Sequence, residues 1–216
     1  MVKMIQLKSK DEWKKNRIRI GGSEASAIIG LNPYMSNVDL WKIKTGQMEQ
    51  EDISEKDFVK YGTEAEQHLR ELFALDYPQY EVKYVDNNMW LNDKYSFAHA
   101  SLDGWLIEKD TGRKGIFECK TTNIINSTMK YKWDDRIPDN YYIQLLHYFI
   151  VTEFEFAVLK AQLKWERENN VFLQTKHYLI EREDVQSDIE YLENKELEFW
   201  RMVECKQTPT LLLPEL

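Results

Sequence analysis

Ser101-Leu102-Asp103-Gly104-Trp105-Leu106-Ile107-Glu108-Lys109-Asp110-Thr111-Gly112-Arg113-Lys114-Gly115-Ile116-Phe117-Glu118-Cys119-Lys120 reads as two short apolar-rich runs joined by a turn. The turn signal is Asp110-Thr111-Gly112-Arg113, which predicts a β-hairpin. Centred there, the hairpin places Asp103 opposite Lys120 or one diagonal away from Glu118. Side chains alternate along a strand, so Ile116, Glu118 and Lys120 share one face while Phe117 and Cys119 share the other. The second face is expected to enter a core, and the first to present the acid and the lysine. Charged residues are depleted from such strands, so this grouping calls for a chemical explanation. Two carboxylates beside one lysine can hold Mg²⁺ or Mn²⁺ and orient a water for phosphodiester hydrolysis. A solvated hairpin with a cross-strand ion pair accounts for the same three residues, and the short pattern alone does not choose between the two.

Outward from the hairpin, the pattern alternates helices and strands. Residues 10–19 read as a short basic helix, 25–29 as a short helix opened by Gly21-Gly22-Ser23-Glu24, and 36–46 as another ended by Gly46. The clearest amphipathic helix is 57–75, with Phe58, Tyr61, Ala65, Leu69, Leu72 and Phe73 as its stripe. On that wheel Glu66 falls on the shoulder of the stripe and Glu64 points further toward water, which makes Glu66 the better ligand of the two. Strands are expected at 80–85, 89–91, 96–100, 103–107 and 115–121. A helix begins at Pro138, a second hairpin joins 154–164 to 171–180 across Glu168-Asn169-Asn170, and a last helix covers 185–203. This order predicts an α/β fold, a central mixed sheet flanked by helices, in one domain over 1–216.

Three further features extend the site. Glu66 would add a third carboxylate, and the main-chain carbonyl of Cys119 a further oxygen; a set of oxygens selects Mg²⁺ or Mn²⁺ over Zn²⁺. Gln144 and Tyr148 lie four apart on the helix after the hairpin and share a face, so amide and phenol can reach one phosphate or water. In Arg17-Ile18-Arg19-Ile20-Gly21-Gly22-Ser23, glycine backbone, Ser23 and an arginine suit the oxygens of a terminal phosphate, with Ser23 also fit to cap the helix.

Composition narrows the field. The 216 residues carry 37 acids against 29 lysines and arginines, a formal charge of −8 that argues against a broad, non-specific DNA footprint. It leaves room for a narrow channel, since divalent metals reverse the local sign around clustered carboxylates. Two cysteines, Cys119 and Cys205, form neither a disulfide framework nor an iron–sulfur ligand set. The sequence has no P-loop and no G-x-S-x-G element. No signal-peptide stretch opens it, and the cytoplasm is the expected location.

The order R-I-G-G-S-E, L-W-K-I-K-T-G, Y-G-T-E-A-E, S-L-D-G, E-C-K and Q-L-L-H-Y, from about Arg17 to about Thr152, resembles the YqaJ-type viral recombinases, the group that includes bacteriophage lambda exonuclease. The resemblance implies a restriction-endonuclease-like PD-(D/E)XK core, Mg²⁺ dependence and processive 5′→3′ digestion of one strand of duplex DNA. By matching positions it makes Asp103 and Glu118 metal ligands, Lys120 the water-orienting lysine, Glu66 the helical acid, Gln144 and Tyr148 the Q-x-x-x-Y element, and Ser23 with Arg17 or Arg19 the 5′-phosphate contact. It implies a ring-shaped trimer around DNA and a single-strand annealing partner. The tail Leu211-Leu212-Leu213-Pro214 and the helix of Trp200 are the expected interface material. Leu102 stands where the family usually has proline. A repair or restriction-type endonuclease keeps the fold and changes the task; a catalytically silent DNA-binding or scaffold module is the alternative of another class.

Overall fold

A computed structural model describes residues 1–213. The hairpin forms at the expected turn: β4 (Gly104–Glu108) and β5 (Lys114–Asn123) run antiparallel, with Gly104 against Phe117 and Ile107 against Lys114. Gly112 sits at φ +75°, a left-handed conformation open to glycine at little steric cost. The register is shifted by two residues from the expected one. Extended past Gly104, it sets Asp103 across from Glu118 rather than Lys120, because the loop closes through bonds from Glu108 N–H to the Arg113 carbonyl and from Gly112 N–H to the Glu108 carbonyl.

β2 (Tyr80–Lys83), β4, β5, β6 (Phe156–Arg167) and β7 (Asn170–Glu181) form a five-stranded sheet in that order. β5 and β6 pair in parallel and the other neighbours antiparallel, so the sheet is mixed. A parallel step needs a crossover, supplied here by α5 (Ser127–Tyr131) and α6 (Asp139–Thr152). A separate pair joins β1 (Val2–Gln6) to β3 (Asn88–Asn92). The strand expected at 96–100 does not form. Ala98 bridges only Ile20 and Ala100 only Trp90, so the segment serves two neighbours and builds a ladder with neither.

The remaining helices are α1 (Lys10–Asn16), α2 (Gly22–Ile28), α3 (Asn37–Lys44), α4 (Asp57–Asp76) and α7 (Gln186–Glu204). Of all the helices, α6 and α4 cover β5, one on each side. Ile116 joins the larger core with Leu145, Phe149 and Leu159, while Phe117 and Cys119 pack with Leu69 and Phe73 of α4. The face carrying Glu118 is therefore closed over by α6, which a solvated hairpin does not explain, and Glu118 is only 2% exposed. The stripe of α4 is also narrower than expected. It meets the sheet through Ala65, Leu69 and Phe73, four residues apart, and leaves Phe58, Tyr61 and Leu72 exposed.

α6 is pinned to α7 by a buried pair, His147 Nδ1 to Glu196 Oε1 at 2.6 Å, and the other ring nitrogen donates to the His99 carbonyl at 2.9 Å. The tail folds back on α3, where the Asn37 amide bonds the Thr210 carbonyl and the Leu212 N–H. Leu211, Leu212 and Leu213 stay exposed there, and Pro214 lies outside the described residues. Among the described residues no helix is long and apolar enough to cross a membrane.

Candidate active site

Asp103 stands just before β4, and its Oδ2 accepts the N–H of Cys119 at 2.9 Å. The carboxylate thus takes the place that a further β4 residue would occupy beside β5. In an extended strand the N–H and C=O of one residue point to the same edge, so the Cys119 carbonyl also faces Asp103. Glu118 Oε1 accepts from Lys120 Nζ at 2.6 Å and from Gln144 Nε2 at 2.8 Å. Gln144 Nε2 also donates to the Tyr148 hydroxyl at 2.7 Å, which donates to the Ser101 carbonyl at 3.0 Å. The Gln144–Tyr148 pair, four apart on α6, therefore orients the sheet carboxylate. Gly22 permits the arrangement: a Cβ there would lie 2.4 Å from the Tyr148 ring.

One cavity of about 570 Å³ is lined by Arg17, Ser23, Glu66, Asp103, Glu118, Cys119, Lys120, Gln144 and Tyr148. Of the predicted residues Arg19 alone is turned elsewhere, its Nε donating to the Ser96 carbonyl at 2.9 Å. Arg17 lies over the Trp13 ring at 4.7 Å, and its Nε is buried without a partner. Ser23 is exposed but is not the helix cap. That position belongs to Gly21, whose N–H donates to Glu24 Oε2 at 2.9 Å. Glu66 is partly buried at the cavity and Glu64 is exposed, as the helical wheel predicts.

The electrostatics are those of crowded acids. Burial, and then the charges of Asp103 and Glu118, push the Glu66 carboxyl up to about 8. Burial and the charge of Asp103 push Glu118 to about 8, against the pull of Lys120. Burial also raises Asp103. The Lys120 ammonium, though desolvated, is held above its usual range by Glu118 and Asp103. Glu118 Oε2 is buried with no hydrogen-bond partner. An orphaned carboxylate oxygen among raised acids fits a cation. Among the described residues no three His, Cys, Asp or Glu side chains converge as a ready metal cage. Mg²⁺ does not need one: it commonly binds through one or two carboxylates and keeps several waters.

Residues 12–155 match the YqaJ-like viral recombinase domain. The chain belongs to that family. It is 32% identical over 195 residues to the uncharacterized protein YqaJ of Bacillus subtilis (strain 168), covering 89% of this chain and 56% of that protein, so it spans little more than half the relative's length. The alkaline exonuclease LHK-Exo of Laribacter hongkongensis has a similar fold, with a TM-score of 0.65 at 17% identity, covering 92% of this chain and 94% of that one. A phage-related exonuclease from Haemophilus somnus 129PT aligns with a TM-score of 0.55 at 13% identity, over 90% of this chain and 98% of its own. These likenesses support the α/β, restriction-endonuclease-like fold.

Several residues that the sequence did not single out hold the site. Arg70, one turn beyond Glu66 on α4, donates from Nη1 to the Asp103 carbonyl at 2.8 Å and stacks over Tyr84 at 3.7 Å. The Asn88 amide clamps Leu102, accepting its N–H and donating to its carbonyl, both at 2.9 Å. Proline at position 102 would lack the N–H that this clamp uses. The spacing of Glu66 and Arg70 was a readable signal, because residues four apart share a helix face. The Asn88 clamp joins distant segments and leaves no local trace.

Proposed function

We propose that this protein is a metal-dependent DNA exonuclease that digests one strand of linear duplex DNA in the 5′→3′ direction. The observation that carries the reading is the single cavity in which Asp103, Glu118, Lys120, Gln144 and Tyr148 share one hydrogen-bonded network, with Arg17 and Ser23 on the same wall. Asp103, Glu118 and the Cys119 carbonyl would hold Mg²⁺, or Mn²⁺ in its place, with Glu66 beside them. Bound there, the metal would polarise the scissile phosphate and lower the pKa of a coordinated water. Lys120 stabilises negative charge developing on the phosphate, from a position fixed by Glu118. Gln144 and Tyr148 hold Glu118 in one orientation, and water is kept from the inner face by α6. Arg17, with a guanidinium nitrogen left unpaired, and Ser23 contact a 5′-phosphate.

Family membership and the fold shared with two proteins named as exonucleases support the same reading. A closed ring, a trimer, accounts for processivity in so acidic a chain, because counterion release from a small basic footprint cannot hold it on DNA. A single-strand annealing protein would take up the exposed strand. The test is linear duplex DNA with and without a 5′-phosphate, in Mg²⁺ or EDTA, beside closed circular duplex. Digestion of the linear DNA in Mg²⁺ alone is expected. Cutting of the closed circle would select the endonuclease reading, and no cutting at all the silent module.

A further inference from the structure

Lys44 closes α3 in the run Leu40-Trp41-Lys42-Ile43-Lys44-Thr45-Gly46, yet its side chain is only 3% exposed. Its partner Glu24 is 2% exposed, and the two meet at 2.7 Å. Lys44 Nζ also donates to the Arg19 carbonyl at 2.7 Å and lies 3.4 Å from that of Arg17. An ammonium has three protons to give, and these three acceptors occupy them, so Lys44 has none left for a ligand. Glu24, beyond this pair, accepts the Gly21 N–H at 2.9 Å. Lysine and glutamate thus tie down the backbone at 17, 19 and 21, the segment that displays Arg17 and Ser23 to the cavity. Neither lines the cavity itself.

A buried ion pair is a poor way to add stability, because desolvation offsets much of the attraction. Its value here lies in geometry. Three separate backbone groups converge on one pair of charges, and the pair sits behind the wall that would meet a DNA end. Among the contacts of Lys44 and Glu24 there is none to Asp103, Glu118 or Lys120. We propose that Lys44, paired with Glu24, is a positioning residue for recognition of the 5′-phosphate, separate from the hydrolytic centre. This rests on the nuclease reading above and adds a regulator of end selectivity to it.

The test is the ratio of digestion rates on 5′-phosphorylated and 5′-hydroxyl linear duplex, with KM and kcat measured for each. Lys44→Met is expected to lower the ratio about tenfold, the scale of one lost charge-assisted hydrogen bond. The change should appear as a raised KM on phosphorylated ends, with kcat on hydroxyl ends within about threefold of wild type on the same scale. Lys44→Met strands a buried carboxylate, which by itself lowers the melting temperature, so the double variant Glu24→Gln, Lys44→Met carries the same readout. It removes both charges and leaves an amide oxygen for the Gly21 N–H. A folded variant that keeps the wild-type ratio would overturn the positioning role. A wild type that digests both ends equally would overturn the phosphate contact and this inference together, leaving the nuclease standing. A wild type without nuclease activity would overturn the nuclease reading itself.

Discussion

At the residue scale, the site is a group of acids held together at an electrostatic cost that a cation would relieve. Asp103→Asn and Glu118→Gln are each expected to abolish cleavage in Mg²⁺ while the metal-free protein melts at or above the wild-type temperature, because one of the mutually repelling charges is gone and an amide oxygen remains to accept the same hydrogen bonds. Calorimetry beside a gel assay checks both halves; cutting at the wild-type rate would remove these residues from the site. Lys120→Ala should lower turnover by roughly 100-fold or more with metal affinity nearly unchanged, and Lys120→Arg should not rescue it, since a planar fork cannot replace a compact ammonium. The sign of the pH dependence follows from the raised carboxyls. Glu66 and Glu118 hold protons to about 8 in the fold and release them near the ordinary range when unfolded. The folded state then binds more protons between those limits, so these groups make the metal-free protein less stable as pH rises toward 8. A divalent ion takes the deprotonated form, so its affinity should rise over the same window. Titration calorimetry with Mn²⁺ at pH 6 and pH 8 measures this; equal affinities would contradict it.

At the element scale, local pattern carried most of the information and non-local pairing the rest. The turn at Gly112 and the alternation of Ile116 through Lys120 were legible because they depend on neighbours in sequence. The register of β4 on β5 was not, since it depends on how the loop closes and on Asp103 bonding Cys119. The stripe of α4 was over-read for a similar reason: an apolar side chain shows which face is available, while the partner sheet decides how much of it is covered. Glu66 nonetheless came out on the cavity side. Glu66→Gln is expected to reduce activity more than Glu64→Gln at the same Mg²⁺ concentration, and rates in the reverse order would refute that helix face. The His147–Glu196 pair was invisible in the sequence because nearly fifty residues separate its members. Glu196→Ala leaves His147 buried without its counter-charge, a change that costs about 3 kcal/mol or more. Urea unfolding should show it, and a loss within about 0.5 kcal/mol, the usual range for surface substitutions, would make the pair incidental.

At the scale of the whole molecule, the fold brings four distant segments to one cavity: the Arg17–Ser23 turn, α4, the β4–β5 hairpin and α6. The residue types in each segment were readable separately, and their order carried the family resemblance that the comparison bears out. What the order could not supply was which arginine faces inward, and the cavity holds Arg17 while Arg19 is spent on a backbone carbonyl. Assembly into a ring is expected to appear as a trimer mass in sedimentation at micromolar concentration; a monomer that digests processively would contradict it. Hydrolysis of DNA from an end in this cavity is open to one decisive measurement. Linear duplex labelled on each strand is mixed with wild type or Glu118→Ala in Mg²⁺, with closed circular duplex in the same tube. Wild type alone is expected to release nucleotides from the 5′ end of one strand, with the circle intact. Release by Glu118→Ala at the wild-type rate, or a cut circle, would contradict it.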